Sequence, residues 1–124
     1  MPPTPLKVFI TGASSGLGAA LARHYGAAGA QLGLTGRRLD GLQDTAAGLD
    51  AHLYPADVRD ATAMQQTAAD FVREVGVPDI VIAAAGISVG TLTEVGEDAA
   101  VFRAVMDANV LGLVHTFQPF IAAM

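Results

Sequence analysis

The hydrophobic pattern of this chain switches between two periods. Short apolar runs at residues 6–11, 31–35 and 79–84, and a briefer one at 52–54, predict strands. Between them, apolar residues recur every three or four positions, which predicts helices over 16–28, 39–49 and 61–75. The buried face is Leu39, Leu42, Ala46 and Leu49 in the second, and Met64, Ala68, Phe71, Val72 and Val75 in the third. A loop at 87–95 precedes two further helices, at 97–107 and 109–124. The punctuation agrees: Gly29 stops the first helix, Asp60 caps the third, and Gly76 and Pro78 end it. The helix at 97–107 begins acidic, as the helix dipole favours.

Strand and helix alternate throughout, so the fold class is α/β: a doubly wound parallel sheet with helices on both faces. The predicted strand order is 3-2-1-4, in a single domain over 1–124 without internal repeat or linker. The continuous apolar run at 79–84 has the composition of a strand buried on both faces. In this order it sits at an edge, and the chain ends inside an apolar helix without a capping signal. The expectation is therefore a truncated or incompletely represented sheet.

The first strand runs into Thr11-Gly12-Ala13-Ser14-Ser15-Gly16-Leu17-Gly18, which opens the first helix. Strand, glycine turn and helix in that order form a phosphate cradle. Gly12 permits the tight turn, Gly16 lets a pyrophosphate approach the backbone, and Gly18 lets the helix pack close to the sheet. This Thr-Gly-x-x-x-Gly-x-Gly spacing near the N-terminus resembles the N-terminal, cofactor-binding half of the short-chain dehydrogenase/reductase family, a Rossmann-type fold. The likeness extends over 6–124. It implies that Gly12, Ser14, Ser15, Gly16, Leu17 and Gly18 hold the pyrophosphate side of a nicotinamide dinucleotide.

Further landmarks follow in the family's order. After the second strand stand Gly36, Arg37 and Arg38, where NAD-binding relatives of such folds carry an acid for the ribose 2′-hydroxyl. A guanidinium there suits a 2′-phosphate, which favours NADP over NAD, with Arg37 the main contact and Arg38 its helper. Ser15 argues the other way, since many NADP-dependent relatives carry a basic residue at that position. By resemblance, Asp57 and Val58 line an adenine pocket. Ala83-Ala84-Ala85-Gly86 resembles Asn-Asn-Ala-Gly with both amides missing. Ala84 stands where the family's Asn helps hold the central sheet, and Gly86 lies beside the nicotinamide ribose. Asn109, with Val110 and Gly112, resembles the family's Asn-x-x-Gly element, whose Asn holds a water in the proton relay. The alternative is an Asn bonded to helix backbone, and the two roles are compatible. The family's catalytic pair is Tyr-x-x-x-Lys, with a Ser that positions substrate. The tyrosines here, Tyr25 and Tyr54, have Gly29 and Val58 four residues on, and the one lysine is Lys7. These residues can bind cofactor but do not complete the family's catalysis.

Composition narrows the classes. Apolar residues make up 52% and charged residues 15%, which predicts a packed core. The net charge of −5 argues against nucleic acid or an anionic membrane surface as partner. Without cysteine, and with His24, His52 and His115 far apart and read as surface or boundary residues, no metal site is expected. Residues 1–5 read as a short extended lead-in. No signal core follows and no apolar run is long enough to span a bilayer, so the expected location is cytoplasmic. The stripe Leu113, Phe117, Phe120, Ile121 and Met124 reads as core rather than interface, although the resemblance pairs this helix with its copy in a homo-oligomer. The leading expectation is an NADP-dependent oxidoreductase acting on a small carbonyl or alcohol, represented by its cofactor-binding half. The alternative is a non-catalytic cofactor-binding sensor or regulatory module.

Overall fold

The computed structural model describes residues 4–124; the lead-in at Met1, Pro2 and Pro3 lies outside the described residues. Four parallel strands, β1 (Lys7–Thr11), β2 (Gln31–Gly36), β3 (Ala51–Pro55) and β4 (Ile80–Ala83), form one sheet of order β3-β2-β1-β4, the order the sequence predicts. They alternate with α1 (Gly16–Ala27), α2 (Leu39–Ala46) and α3 (Ala61–Glu74). After β4 come α4 (Asp98–Met106), a π-helical segment (Asp107–Leu111) and α5 (Gly112–Ile121). No described helix is long and apolar enough to cross a membrane.

β1 divides the core. Its side chains alternate across the sheet, so Val8 and Ile10 face one side and Phe9 the other. Val8 and Ile10 pack with Ala22 of α1, Leu32 and Leu34 of β2 and Leu42 of α2. Phe9 packs with Met64, Ala68 and Phe71 of α3 and Phe120 of α5. Phe9 meets Phe71 edge-on at 5.4 Å between ring centroids and Phe120 at 4.9 Å. Gly33 makes this face possible, since a Cβ there would come within 2.5 Å of Phe71 and 2.9 Å of Phe9.

Several boundaries differ from the sequence reading. Helix α2 ends at Ala46 rather than residue 49, because Ala47 leaves the helix at ψ 120° and Gly48 turns the chain at φ +77°. Strand β3 is longer than 52–54, since its ladder with β2 runs from Ala51 to Pro55. The expected helices at 97–107 and 109–124 are joined by the π-helical turn. Asp60 caps α3 as expected, its carboxylate accepting from the Ala63 amide at 3.1 Å.

β4 takes the expected edge position: it pairs with β1 alone among the described strands and is half-buried, despite the composition of a strand covered on both faces. One burial expectation fails. In the terminal stripe, Phe120 is buried, whereas Leu113, Phe117, Ile121 and Met124 are exposed. The line that faces the sheet is Gly112, Thr116 and Phe120; Leu113, Phe117 and Ile121 sit one residue, about 100°, around the helix.

Candidate functional site

The C-terminal ends of the strands open onto a groove of about 280 Å³. Gly12, Ser14, Ser15, Gly16 and Leu17 line one end, Arg37, Asp57, Val58 and Arg59 the other, and Ala84 and Gly86 the floor between them. Gly18 and Arg38 do not line it.

The glycine turn is held by backbone sterics. Gly12 has φ +66°, and a Cβ on it would lie 2.6 Å from the Ala84 carbonyl carbon and 2.7 Å from its oxygen. Gly18 is equally constrained, because a Cβ there would collide with the Gly12 carbonyl. Gly16 differs: its φ is +56°, yet a Cβ would meet nothing within 4 Å. It faces open groove, as a close-approach glycine should. Ser15 stands at the N-cap of α1 without a side-chain capping bond, so its hydroxyl is not committed to the helix.

The turn is also tied down by residues the sequence reading missed. The Ala13 amide donates to the Thr35 carbonyl at 3.1 Å. The buried Thr45 hydroxyl donates to the Ala13 carbonyl at 2.8 Å and lies 3.1 Å from the Gly41 carbonyl, which pins α2 to the turn. Gly41 allows this approach, since a Cβ there would lie 2.8 Å from Ser14 Cβ. A helix-period pattern marks Leu42 as core but says nothing of a threonine that bonds across thirty-two residues.

At the other end, exposed Arg37 follows β2 directly. Arg38 serves as the N-cap residue of α2, its carbonyl accepting from the Leu42 amide at 3.2 Å. The Asp57 carboxylate is held by its own turn. Its Oδ1 accepts from the Arg59 amide at 2.9 Å, and its Oδ2 accepts from Arg59 Nη2 at 2.7 Å. The Arg59 hydrogen bonds hold the Asp57 carboxyl below its ordinary range, against the opposing effect of partial burial. Arg59 was not anticipated; only its place two residues after a groove acid could have signalled it.

Val58 is buried and fixed from behind by α5. His115 Nδ1 donates to the Val58 carbonyl at 2.7 Å, so His115 is partly buried and tied to this loop. A Cβ on Gly112 would lie 2.8 Å from Val58, so this glycine sets the approach of the helix.

Asn109 lies in the π-helical segment and reaches the loop after β4. Its Oδ1 accepts from the Ile87 amide and its Nδ2 donates to the Ile87 carbonyl, both at 2.8 Å. It bonds loop backbone rather than helix backbone, and it fixes the chain just beyond Gly86. On the floor, the Ala84 amide still reaches the Thr11 carbonyl at 3.3 Å. The buried hydroxyls of Thr11 and Thr35, register neighbours across β1 and β2, find no partner among the described residues. Ala83, opposite Thr11 on β4, has no polar side chain to offer.

A parallel sheet of order β3-β2-β1-β4 with helices between its strands is a Rossmann-type fold. The model of the short chain dehydrogenase family matches residues 6–124, and the chain belongs to that family. An uncharacterized oxidoreductase of Mycobacterium tuberculosis is 35% identical over 126 residues, covering 94% of this chain and 37% of the relative. The sulfoacetaldehyde reductase of Chromohalobacter salexigens is 33% identical over 112 residues, 87% of this chain and 44% of that protein. Among solved structures, an actinorhodin polyketide ketoreductase with NADPH superposes with a TM-score of 0.87 at 26% identity. That match covers 96% of this chain and 47% of the ketoreductase. The chain thus spans less than half the length of these relatives.

Proposed function

We propose that this chain is the cofactor-binding part of an NADP-dependent oxidoreductase that reduces a carbonyl or oxidises a secondary alcohol. The observation that carries the reading is the groove, which has a backbone cradle at Gly12 and Gly16 and an arginine, not an acid, directly after β2. The residues fit a dinucleotide: Gly16 leaves open space at the turn, and Ser15 keeps its hydroxyl uncommitted. When bound, the nicotinamide supplies or accepts the hydride. Gly12, Ser14, Ser15, Gly16 and Leu17 hold the pyrophosphate with backbone and hydroxyl donors at the start of α1. Arg37 pairs with the 2′-phosphate, with Arg38 beside it in sequence, and Asp57 and Val58 receive the adenine. Gly18 acts indirectly, by keeping α1 against the turn.

Asn109 orders the loop that carries Gly86 past the nicotinamide ribose. One amide hydrogen and one lone pair remain beyond its Ile87 bonds, enough to place a water for proton transfer. The exposed Leu113, Phe117 and Ile121 support a homo-oligomer built on α5. The substrate is a small carbonyl or alcohol.

The test is a fluorescence titration of the intact protein with NADPH and with NADH. NADPH binds at least about tenfold more tightly if a guanidinium takes the 2′-phosphate. Equal affinities overturn the NADP reading.

A further inference from the structure

The groove carries a single carboxylate among its lining residues, Asp57. A carboxylate there opposes any ligand rich in phosphate. Arg59 counters it with three donors: its backbone amide, Nε at 3.1 Å from both oxygens, and Nη2. Because Nε is shared, each carboxylate oxygen accepts two of these four contacts, and Arg59 holds both ends of the acid. The pair is confined to one turn, closed by the Asp60 amide on the Asp57 carbonyl at 2.9 Å. It links no distant elements of the fold, and both members face the groove. Arg37, at the same end of the groove, also acts on the Asp57 charge and favours its ionised form.

We propose that Arg59 is a positioning residue for cofactor specificity: it neutralises and orients the groove's one carboxylate, so that a 2′-phosphate is accepted beside it. The inference rests on the NADP reading above and adds a residue to it. Without Arg59, Asp57 remains ionised and repels the 2′-phosphate at Arg37, while NADH, which lacks that phosphate, is affected less.

The experiment is a double-mutant cycle read as the ratio of NADPH to NADH affinity in the intact protein. Arg59→Ala lowers NADPH affinity about tenfold and NADH affinity about threefold at most, an effect that shrinks as salt is raised. Arg59→Lys keeps most of the ratio, since it restores the charge without the planar fork. In an Asp57→Asn background, Arg59→Ala changes the ratio by less than about twofold. An unchanged ratio in Arg59→Ala overturns the proposal. So does an equal fall in the Asp57→Asn background, which would make Arg59 a direct phosphate contact. A wild-type protein without NADPH preference refutes the underlying NADP reading itself, before any Arg59 variant is measured.

Discussion

At the glycine end of the groove the working surface is backbone; at the arginine end it is side chains. Gly12 and Gly18 are locked by contacts with the main chain, and Thr45 and the Thr35 carbonyl brace the turn from below. Arg37, Asp57 and Arg59 stand on short exposed turns, and the Asp57–Arg59 pair involves only its own loop. The first construction resists change at Gly12 and Gly18, because both also belong to the fold. The second can be altered one residue at a time. Binding should therefore be lost wholesale at one end and tuned at the other.

Gly12→Val should give the largest effect. A β-branched residue at φ +66° is strained by about 1–2 kcal/mol, and its Cβ would overlap the Ala84 carbonyl. NADPH and NADH binding should both disappear and Tm should fall. Retained affinity for either would show that the turn is not the anion site. Arg37→Ala should act more narrowly. It removes the charge-assisted bonds to the 2′-phosphate, so NADPH affinity should drop about thirtyfold while NADH affinity stays constant. A parallel loss of both would mean that the arginine end, too, is structural.

What the sequence made legible follows the same division. The glycine turn and the Asp60 cap were readable because local chemistry dictates them, a positive φ and an N-cap carboxylate, and the strand order because strand–helix alternation and right-handed crossovers restrict it. Arg59, Thr45 and His115 were not, because their roles depend on partners brought close only by the fold, or on a turn whose direction the sequence does not announce. The terminal helix shows how periodicity misleads. Leu113, Phe117, Phe120, Ile121 and Met124 form one stripe on paper, yet the sheet takes the adjacent line of Gly112, Thr116 and Phe120. Small residues let the helix approach Val58, and hydrophobicity alone does not mark them. The Asn109 clamp was half legible: the residue was expected to hold something, and its partner proved to be Ile87.

Gly16 separates the two kinds of glycine within the turn. A Cβ at Gly16 meets nothing, so Gly16→Ala should cost only the strain of φ +56°, about 1 kcal/mol. Its effect on binding should be larger than on folding, with affinity for both cofactors down about fivefold as the methyl enters the groove. Thermal melts and titrations on the same preparation check this. A large fall in Tm with unchanged affinity would place Gly16 with Gly12, as part of the fold.

The smallest expected effect is the acid response of the Asp57–Arg59 pair, and its smallness is informative. Arg59 holds the folded Asp57 carboxyl below its ordinary range. Any stability the pair contributes is therefore fully present above the unfolded value, near pH 4, and is lost as pH falls through the lower folded value. Both side chains are roughly a third exposed, at 39% and 31%, so solvent screens most of the interaction. Asp57→Asn should lower Tm by no more than a few degrees at pH 6, and the gap to the parent should close towards pH 2. A gap that is large, or that widens in acid, would make the pair a strut of the fold like Thr45. A small gap that closes leaves the charge of Asp57 to act where it faces, in the groove, which is the condition for tuning cofactor preference without cost to the domain.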